Sequence, residues 1–387
     1  MTLEAQRRAK VMELIRLKKI KQGDAAGILG ISRRQVIRIY KKYLEDGDEG
    51  LNHGLIGKEG NRRIDKATKE KALEIYKTRY WDFGPTFASE KLEEEFQIKV
   101  NPNTLRLWLI QAGLWTNKRA KAKHRKRRER KKCFGEMLQM DGSIHDWFEI
   151  GTKDCLLDVI DDATGIPYGL FAEGETTDIA FEVLMDWILM YGIPASIYLD
   201  CRSNYFTKRK PTVDEQLSDI VPKTAFGKVC EALGIELIYA TSPQAKGRVE
   251  RAHNVYQDRL VKEMRLRGIK DSEAGNKYLK EIFWDKHIKK FAKEPASPND
   301  MHVPLIQGQD LRNIICYSYD RKIGHDYVVR YNNRYFQIEN KQDIYVRPRD
   351  KVVVKRWLDG SIHIFKQNTE LNFYEINKNG KRSRKVG

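Results

Sequence analysis

The first 45 residues place apolar side chains at helical spacing in three short runs. Gly30 provides the turn before the third run, in which Ser32 and Gln35 have the spacing of a capping box. Apolar residues at every third or fourth position are typical of amphipathic helices. The pattern therefore predicts three short helices within residues 4–45. The first two bury Val11, Leu14, Ile15 and Leu17, and then Ala25, Ala26 and Leu29.

The third helix has an apolar side and a basic side. Val36, Ile37 and Tyr40 are expected to be buried. The other side offers Arg33, Arg34, Gln35 and Arg38. Guanidinium and amide groups on one helix face suit a recognition helix in the DNA major groove, where they meet phosphates and purine edges. We therefore predict a helix-turn-helix DNA-binding domain in residues 1–50, with a basic helical hairpin that does not bind DNA as the alternative.

A polar stretch with five glycines between Gly47 and Gly60 predicts a linker, and a second helical group follows in residues 62–115. Its last helix, PNTLRLWLIQAG, is expected to pack through Leu105, Trp108, Leu109 and Ala112. That packing leaves Asn103, Thr104 and Arg106 available to DNA. We predict a second helix-turn-helix domain of the winged type, with a helical protein-interaction domain as the alternative.

Residues 116–134 form a basic linker, in which positions 116–132 contain eleven Lys or Arg and one Glu. Such blocks are usually solvated in the free protein. On DNA they neutralise phosphates, which increases the salt dependence of binding without adding sequence preference. The DNA-contacting residues predicted here are Lys118, Arg119, Arg125 and Arg127.

From about residue 136 the apolar period changes to that of short strands. Residues 135–270 predict the order βββαβαβα, in which the first strand is GEMLQMD. This order indicates a mixed sheet with helices on its faces, and it is the order of a ribonuclease-H-like fold. Within it, Asp141 is expected to end the first strand, Asp200 to end the fourth, and Glu250 to lie one turn into the last helix.

The helix that carries Glu250 has two distinct sides. One is an apolar stripe of Val249, Ala252, Tyr256, Leu260 and Met264. The other side contains Lys246, Glu250, His253, Asn254 and Gln257. Taken alone, Glu250 is a solvated charge or a partner of Lys246 or Arg251. On a DNA-facing helix, Lys246 and Arg251 are expected to contact phosphate, and Asn254 the substrate end.

Three carboxylates at one sheet edge indicate a metal site, because catalytic groups of α/β folds gather at strand ends. Oxygen ligands from Asp141, Asp200 and Glu250 suit two Mg²⁺ ions about 4 Å apart, on either side of a phosphodiester. Without metal, such carboxylates would repel one another and raise at least one pKa. We predict these three residues as catalytic metal ligands, with Mn²⁺ able to replace Mg²⁺, and read the nearby Asp161 and Asp162 as structural.

The C-terminal quarter predicts a helical connector in residues 271–310 and then β structure. Asn332-Asn333 and Asp359-Gly360 are signals for two-residue hairpin turns. They indicate a small β-barrel in residues 311–376, followed by a basic tail in 377–387. The predicted fold class is therefore multidomain α/β, with N-terminal helix-turn-helix modules, a ribonuclease-H-like core and a C-terminal barrel.

Composition narrows the choice of partner. The chain has 72 Lys and Arg against 54 Asp and Glu, a formal charge of +18, which points to a polyanion such as nucleic acid. No apolar run approaches the roughly 20 residues of a membrane span. Five scattered cysteines without CxxC spacing favour reduced thiols in the cytoplasm and argue against a zinc site.

Three motifs resemble a known family. QMDGSIHDWFE at 139–149, CLLDVIDDATG at 155–165 and SPQAKGRVERAH at 242–253 are similar to ISNCY-type bacterial insertion-sequence transposases. The frame of Asp141, Asp200 and Glu250 resembles the DDE catalytic core of retroviral integrases and many transposases. The chain departs from that pattern after the second acid. Many relatives have Asp-Asn-Gly or Asp-His there, whereas this chain has Asp200, Cys201 and Arg202.

The resemblance implies a transposase that binds terminal inverted repeats in double-stranded DNA, cleaves the element ends and joins them to target DNA by transesterification. It implies a homodimer or larger assembly, because two ends meet one target. It also implies a cytoplasmic, nucleoid-associated protein. One alternative is a sequence-specific DNA-binding regulator or a domesticated, inactive relative. Another is a ribonuclease H or structure-directed nuclease, for which two sequence-reading modules would be superfluous.

Overall fold

The computed structural model describes residues 3–51, 64–116, 128–212, 216–217, 221–239, 247–306 and 308–377. The chain divides into two compact units, residues 1–119 and 120–387. Several predicted features lie outside the described residues. They are the DNA contacts Lys118, Arg119, Arg125, Arg127 and Lys246, and the basic tail from residue 378 onward.

The N-terminal unit begins with the three predicted helices. They are α1 Leu3–Arg16, α2 Gln22–Leu29 and α3 Arg33–Asp46, with a 3-10 turn at Gly47–Leu51. Gly30 has a φ of 67°, a left-handed conformation that glycine adopts without strain. The Ser32 hydroxyl then accepts a hydrogen bond from the backbone N–H of Gln35 and caps α3. The predicted start of α3 is therefore confirmed.

The core of these three helices is small, and two residues predicted to lie in it are exposed. Its buried members are Val11, Met12, Ile15, Ala25, Val36 and Leu51. Leu17 is 51% exposed because it follows the last residue of α1. Ile37 is 45% exposed, on the side of α3 that also carries Arg33 and Arg34. The prediction that Leu17 and Ile37 are buried was therefore wrong.

The second helical group also forms. Its helices are α4 Lys66–Arg79, α5 Pro85–Phe96 and α6 Pro102–Gln111. The Asn101 side chain accepts a hydrogen bond from the backbone N–H of Asn103 and caps α6. The core of this group includes four buried aromatic residues, Tyr76, Tyr80, Phe83 and Phe87, together with aliphatic residues such as Leu105 and Leu109. No strand occurs within residues 64–116, so the predicted wing is not found in that range.

The second unit is built on a five-stranded mixed sheet in the order β3-β2-β1-β4-β5. Strands β1, β2 and β3 pair antiparallel, and β1, β4 and β5 pair parallel. The predicted order of strands and helices, and with it the fold class, is confirmed. The strands are β1 Leu138–His145, β2 Asp154–Asp161, β3 Pro167–Ala172, β4 Ser196–Leu199 and β5 Glu236–Tyr239.

Strand β1 is longer than predicted at its C-terminal end. Asp141 was expected to end the strand, but β1 continues to His145, which pairs with Asp154 of β2. The extension follows from the β1–β2 hairpin, because the antiparallel ladder supplies hydrogen-bond partners for the backbone beyond Asp141. Asp141 therefore lies in the middle of a strand.

Helices cover the sheet and share one core with it. They are α7 Thr177–Tyr191, α8 Ala225–Ala232, α9 Val249–Leu266, α10 Ser272–Tyr278 and α11 Trp284–Phe291, with a π-helical turn at Leu279–Phe283 before α11. The apolar stripe of α9 is confirmed, because Val249, Tyr256 and Leu260 are fully buried. His253, which was placed on the polar side, is also buried.

The C-terminal region consists of two antiparallel sheets that share one core. Their strands are β6 Tyr317–Lys322, β7 Val328–Tyr331, β8 Arg334–Ile338, β9 Lys351–Arg356, β10 Ile362–Lys366, β11 Thr369–Glu370 and β12 Phe373–Ile376. Asn332 and Asn333 have φ values of 49° and 61°, as expected for the predicted tight turn between β7 and β8. Gly360, at 82°, forms the turn between β9 and β10.

Candidate active site

Asp141 lies in β1, and Asp200 follows the last residue of the neighbouring strand β4. In the parallel pair β1 and β4, Leu138 is opposite Ile197 and Gln139 is opposite Tyr198. Continuing this register by two residues places Asp141 beside Asp200, immediately after the end of β4. Adjacent strands are about 4.8 Å apart, and partners in register point to the same face. The sheet therefore brings two of the three predicted acids together.

Arg202, two residues after Asp200 in the loop that follows β4, pairs with Asp200. The Arg202 side chain places its Nε 2.8 Å from Asp200 Oδ2, and its backbone N–H donates to Asp200 Oδ1 at 3.1 Å. Its Nη1 also donates to Glu175 Oε2. Arg202 therefore joins two carboxylates from different parts of the fold.

Glu175 is a buried acid that sequence reasoning did not select. Its side chain is 5% exposed. A Cβ built on Gly142 would lie 2.5 Å from Glu175 Oε2, so this carboxylate occupies the space beside the residue that follows Asp141. Burial raises the pKa of the Glu175 carboxyl above its ordinary value, although Arg202 draws it down. The guanidinium of Arg202 is thus the charge that stabilises the ionised form.

A second buried pair lies next to Asp141 on the other side. Asp158 of β2 is directly opposite Asp141 in the antiparallel ladder, so the two side chains share a face. Asp158 is fully buried, and its Oδ1 lies 2.5 Å from Nε2 of His253 on α9. Burial raises the pKa of the Asp158 carboxyl, and His253 opposes that effect. The pair attaches α9 to the strand position opposite Asp141.

Glu250 lies in the first turn of α9, as the second residue of the helix, rather than one turn inside it. The predicted position was wrong because α9 begins only at Val249, after Arg248. The Glu250 side chain is exposed. The backbone carbonyl of Glu250 accepts a hydrogen bond from Nδ2 of Asn254. Arg251 is also exposed. Glu250 and the buried His253 are three residues apart and therefore share one side of the helix.

Asp162 fixes the start of α9 on the sheet. Its Oδ1 accepts hydrogen bonds from Gln139 Nε2 at 2.6 Å, from Arg128 Nη2 at 2.5 Å and from Arg248 Nη1. Asp162 is fully buried, and these donors satisfy its charge. The structural role predicted for Asp162 is confirmed, and the residue also connects the end of the basic linker to the residue that precedes α9.

The remaining predicted site residues take the following places. Arg33, Arg34, Gln35 and Arg38 are all exposed on α3. On α6, Asn103 is exposed, while Thr104 and Arg106 are partly exposed. These positions leave the predicted DNA contacts accessible to a ligand.

The side chains fit a divalent cation in chemical kind, because Asp141, Asp200 and Glu250 all offer carboxylate oxygens, the ligands that Mg²⁺ prefers. Asp200 is 27% exposed, so a cation can reach it from solvent. In the described residues, however, no three His, Cys, Asp or Glu side chains lie close enough to hold one metal ion together. The fold pairs Asp141 with Asp200 but does not complete a three-carboxylate group.

Sequence reasoning missed four residues around this site. Glu175 is in the loop between β3 and α7, and Asp158 is in the middle of a strand that reads as uniformly buried. Arg202 could have been found, because it stands where the sequence departs from the DDE pattern. His253 carried a weaker signal, its spacing of three residues from Glu250.

Fold and site together define a multidomain α/β protein with a helix-turn-helix unit and an acidic site on a mixed sheet. The family model described as a Homeodomain-like domain matches residues 2–52. The chain is 36% identical to "Putative transposase y4bF" of Sinorhizobium fredii, over 82% of this chain and 69% of the relative. It is 28% identical to "Transposase for insertion sequence IS1202" of Streptococcus pneumoniae, over 87% of this chain and 78% of the relative.

The chain therefore belongs to the transposase family, and the predicted resemblance to insertion-sequence transposases is confirmed. Among solved structures, it is similar to a chain of the simian T-cell lymphotropic virus intasome complex, with a TM-score of 0.32 and 12% identity over 81% of this chain and 98% of that chain. It is also similar to the HTLV-2 integrase catalytic core domain in complex with magnesium, with a TM-score of 0.25 and 15% identity over 39% and 90%. The family assignment rests on the two transposases.

None of the helices in the described ranges is long and apolar enough to cross a bilayer.

Proposed function

We propose that this chain is a metal-dependent DDE transposase that cleaves DNA at the ends of its element and joins those ends to target DNA. The observation that carries the proposal is the register of β1 and β4, which, continued by two residues, aligns Asp141 with Asp200 in a chain that belongs to the transposases. Two carboxylates on one face of a sheet suit a cation shared between them. In the free protein, Arg202 offsets part of their mutual repulsion by pairing with Asp200.

In this proposal, Asp141, Asp200 and Glu250 are the residues that hold two Mg²⁺ ions, which Mn²⁺ can replace. When bound, these ions activate the attacking oxygen and stabilise the leaving oxygen of an in-line displacement at phosphorus. Hydrolysis frees a 3′-hydroxyl at the element end, and that hydroxyl then attacks the target strand. The carboxylates orient both reactions at one site on the sheet.

Glu250 is positioned by the contacts on either side of it. Arg248 donates to Asp162, and His253 bonds to Asp158, so residues before and after Glu250 are both attached to the sheet. At a rise of about 1.5 Å per residue, Glu250 and His253 are about 4.5 Å apart along the helix axis. In this proposal, the first turn of α9 moves to bring Glu250 to the paired aspartates when metal and DNA bind.

DNA recognition belongs to the N-terminal unit and to the exposed face of α9. Arg33, Arg34, Gln35 and Arg38 read the terminal repeats through α3, and α6 contributes Asn103, Thr104 and Arg106. The basic linker, with Lys118, Arg119, Arg125 and Arg127, follows the phosphate backbone. Near the reaction, Lys246 and Arg251 bind phosphate and Asn254 contacts the element end. Two ends joined to one target require a homodimer or larger assembly, which acts on the nucleoid in the cytoplasm.

A second function is favoured by one observation. The three carboxylates do not form one metal-binding group within the described part of the chain. A domesticated relative that binds specific DNA and no longer catalyses would have the same N-terminal unit with an incomplete acidic site. Such a protein would act as a regulator.

Cleavage and strand transfer distinguish the two functions. The full-length protein is incubated with DNA carrying the inverted repeats that flank its gene, in Mg²⁺ or Mn²⁺. We expect 3′ nicks at the element ends and joined products, and a loss of more than about 100-fold in both for Asp200→Ala and Glu250→Ala. DNA binding is measured in parallel and should be retained.

Asp258→Ala is the matched control for Glu250→Ala. Asp258 is an exposed acid on the same helix, and its contact is an ion pair with Lys262 four residues later. This variant should cleave and join at the parent rate. If Glu250→Ala and Asp200→Ala are as active as Asp258→Ala, the DDE assignment is wrong; if the parent binds the repeats but never cuts, the regulator is the better description.

A further inference from the structure

Arg202 places a positive charge between the carboxylates of Asp200 and Glu175. Its backbone N–H and its Nε engage the two oxygens of Asp200, while its Nη1 bonds to Glu175. A cation that binds Asp200 Oδ2 therefore meets the guanidinium within about salt-bridge distance, and two like charges so close repel. The ion pair between Arg202 and Asp200 therefore lowers the affinity of Asp200 for a metal ion.

The two partners of Arg202 differ in how easily they release it. The Glu175 side chain is 5% exposed, whereas that of Asp200 is 27% exposed. Leaving a buried carboxylate without a counter-charge is far more costly than leaving an accessible one. When a metal ion competes with Arg202 for Asp200, the ion pair with Asp200 therefore breaks before the ion pair with Glu175.

Three nearby carboxylates act on the guanidinium of Arg202. Burial by itself lowers the pKa of Arg202, but Glu175, Asp200 and Asp141 together raise it above its ordinary value. All three carboxylates thus act on one guanidinium. The Arg202 side chain is 45% exposed, so the group also reaches solvent, where a DNA phosphate can approach it.

We propose that Arg202 is a switch between two partners: it neutralises Asp200 in the free protein and moves to a DNA phosphate when metal binds, with Glu175 as its anchor. This inference rests on the proposed metal site. Arg202 weakens metal binding in the absence of DNA and strengthens DNA binding once metal is present. Metal loading before the DNA substrate binds is thereby suppressed.

The first test measures Mn²⁺ binding to the full-length, DNA-free protein by electron paramagnetic resonance of the free ion. Arg202→Ala should bind Mn²⁺ about tenfold more tightly than the parent, because the competing charge is gone. Glu175 loses its positively charged partner in that variant, so the double variant Arg202→Ala/Glu175→Gln is measured as well and should also bind more tightly. Unfolding midpoints show that both variants are folded.

Two controls separate this inference from the proposed function. Arg334 forms a comparable pair with Glu375 in the C-terminal sheets and is 44% exposed. Arg334→Ala should bind Mn²⁺ as the parent does. Asp141→Asn should lose Mn²⁺ binding. If Asp141→Asn loses it and the double variant is no tighter than the parent, the switch is wrong while the metal site stands. If Asp141→Asn binds Mn²⁺ normally, the metal site is wrong and the switch falls with it.

The second test addresses the DNA phosphate. Binding of the element end is measured against salt concentration in Ca²⁺, which supports binding without rapid cleavage. Each phosphate contact contributes about 0.9 to the slope of log K against log salt, so Arg202→Ala should show a slope shallower by about one. Arg202→Lys should keep most of the slope because it keeps the charge. A slope equal to that of the parent for Arg202→Ala overturns the proposal.

Discussion

At the scale of single residues, the site depends on side chains that lie next to the predicted acids in the strand register or along the helix. Asp158 and His253 illustrate this dependence. Asp158 is fully buried, and its hydrogen bond joins β2 to α9 three residues after Glu250. Removing either partner leaves a buried polar group without its bond. The pair thus links the stability of the core to the position of Glu250.

Replacing His253 should therefore affect both stability and activity. We expect His253→Ala to lower the free energy of unfolding by about 3 kcal/mol, measured by urea denaturation. Strand transfer should fall by about 100-fold at temperatures where the variant is folded, because Glu250 loses its support. His253→Gln keeps a side chain that can donate to Asp158 and should recover most of the activity.

Tyr278→Phe is the control for this effect. It removes a buried hydrogen bond of 2.5 Å from Tyr278 to Glu263, near the other end of α9. It should destabilise the protein without changing strand transfer in the folded state. Equal loss of activity in Tyr278→Phe and His253→Ala would mean that His253 acts through general stability alone.

Sequence reasoning selected Asp141 and Asp200 because acids after apolar runs are visible in the sequence. It could not find Asp158, because only the strand register places that residue opposite Asp141. Glu175 was hidden for a similar reason. Its position depends on the space beside Gly142, and that space exists only in the folded protein.

At the scale of elements, α9 is held at its start by long-range contacts rather than by its own cap. Arg248, at the N-cap, makes no side-chain capping bond and instead donates to Asp162. Helix starts usually rely on a local side-chain oxygen. The first turn of α9, which contains Glu250, therefore depends on a residue that follows β2.

Breaking that contact should loosen the start of α9 locally. For Arg248→Ala, we expect amide hydrogen exchange in residues 249–254 to be about tenfold faster, because the end of the helix opens more readily. Exchange in residues 260–266 should be unchanged, since Leu260 and Met264 remain fully buried. If exchange in residues 249–254 is as slow in Arg248→Ala as in the parent, this role of Arg248 is wrong.

The element pattern was predictable where local signals are strong. Gly30 with Ser32, and Asn332 with Asn333, fix turns within a few residues, and all four behave as their types suggest. The end of β1 was not predictable, because a partner strand determines it. The start of α9 was missed because its contact is to Asp162, more than 80 residues away.

At the scale of the whole molecule, one histidine makes the stability of the second unit depend on pH. His287 on α11 is buried against Tyr256, with ring centroids 5.1 Å apart. Burial lowers the pKa of His287 to about 4, and Arg259 and Lys290 add to the shift. The folded chain therefore keeps His287 neutral at pH values where the unfolded chain binds a proton.

This difference fixes the direction of the pH effect. Stability from His287 is fully present above the ordinary pKa of about 6.5 and is lost as the pH falls toward 4, up to about 3 kcal/mol. We expect the melting temperature of the parent to fall between pH 7.5 and pH 5. His287→Phe should fall less over the same range. If the melting temperature of His287→Phe falls as much as that of the parent between pH 7.5 and pH 5, His287 does not cause this pH dependence.

The position of Asp141 on β1 makes its alignment with both neighbouring strands depend on the register of a single strand. A shift of one residue in the pairing of a strand turns every side chain to the opposite face. Such a shift in β1 would separate Asp141 from Asp158 and Asp200 together, since both alignments depend on the same strand. In the proposed transposase, a copy with that shift would therefore lack the paired carboxylates that are expected to hold the metal ions.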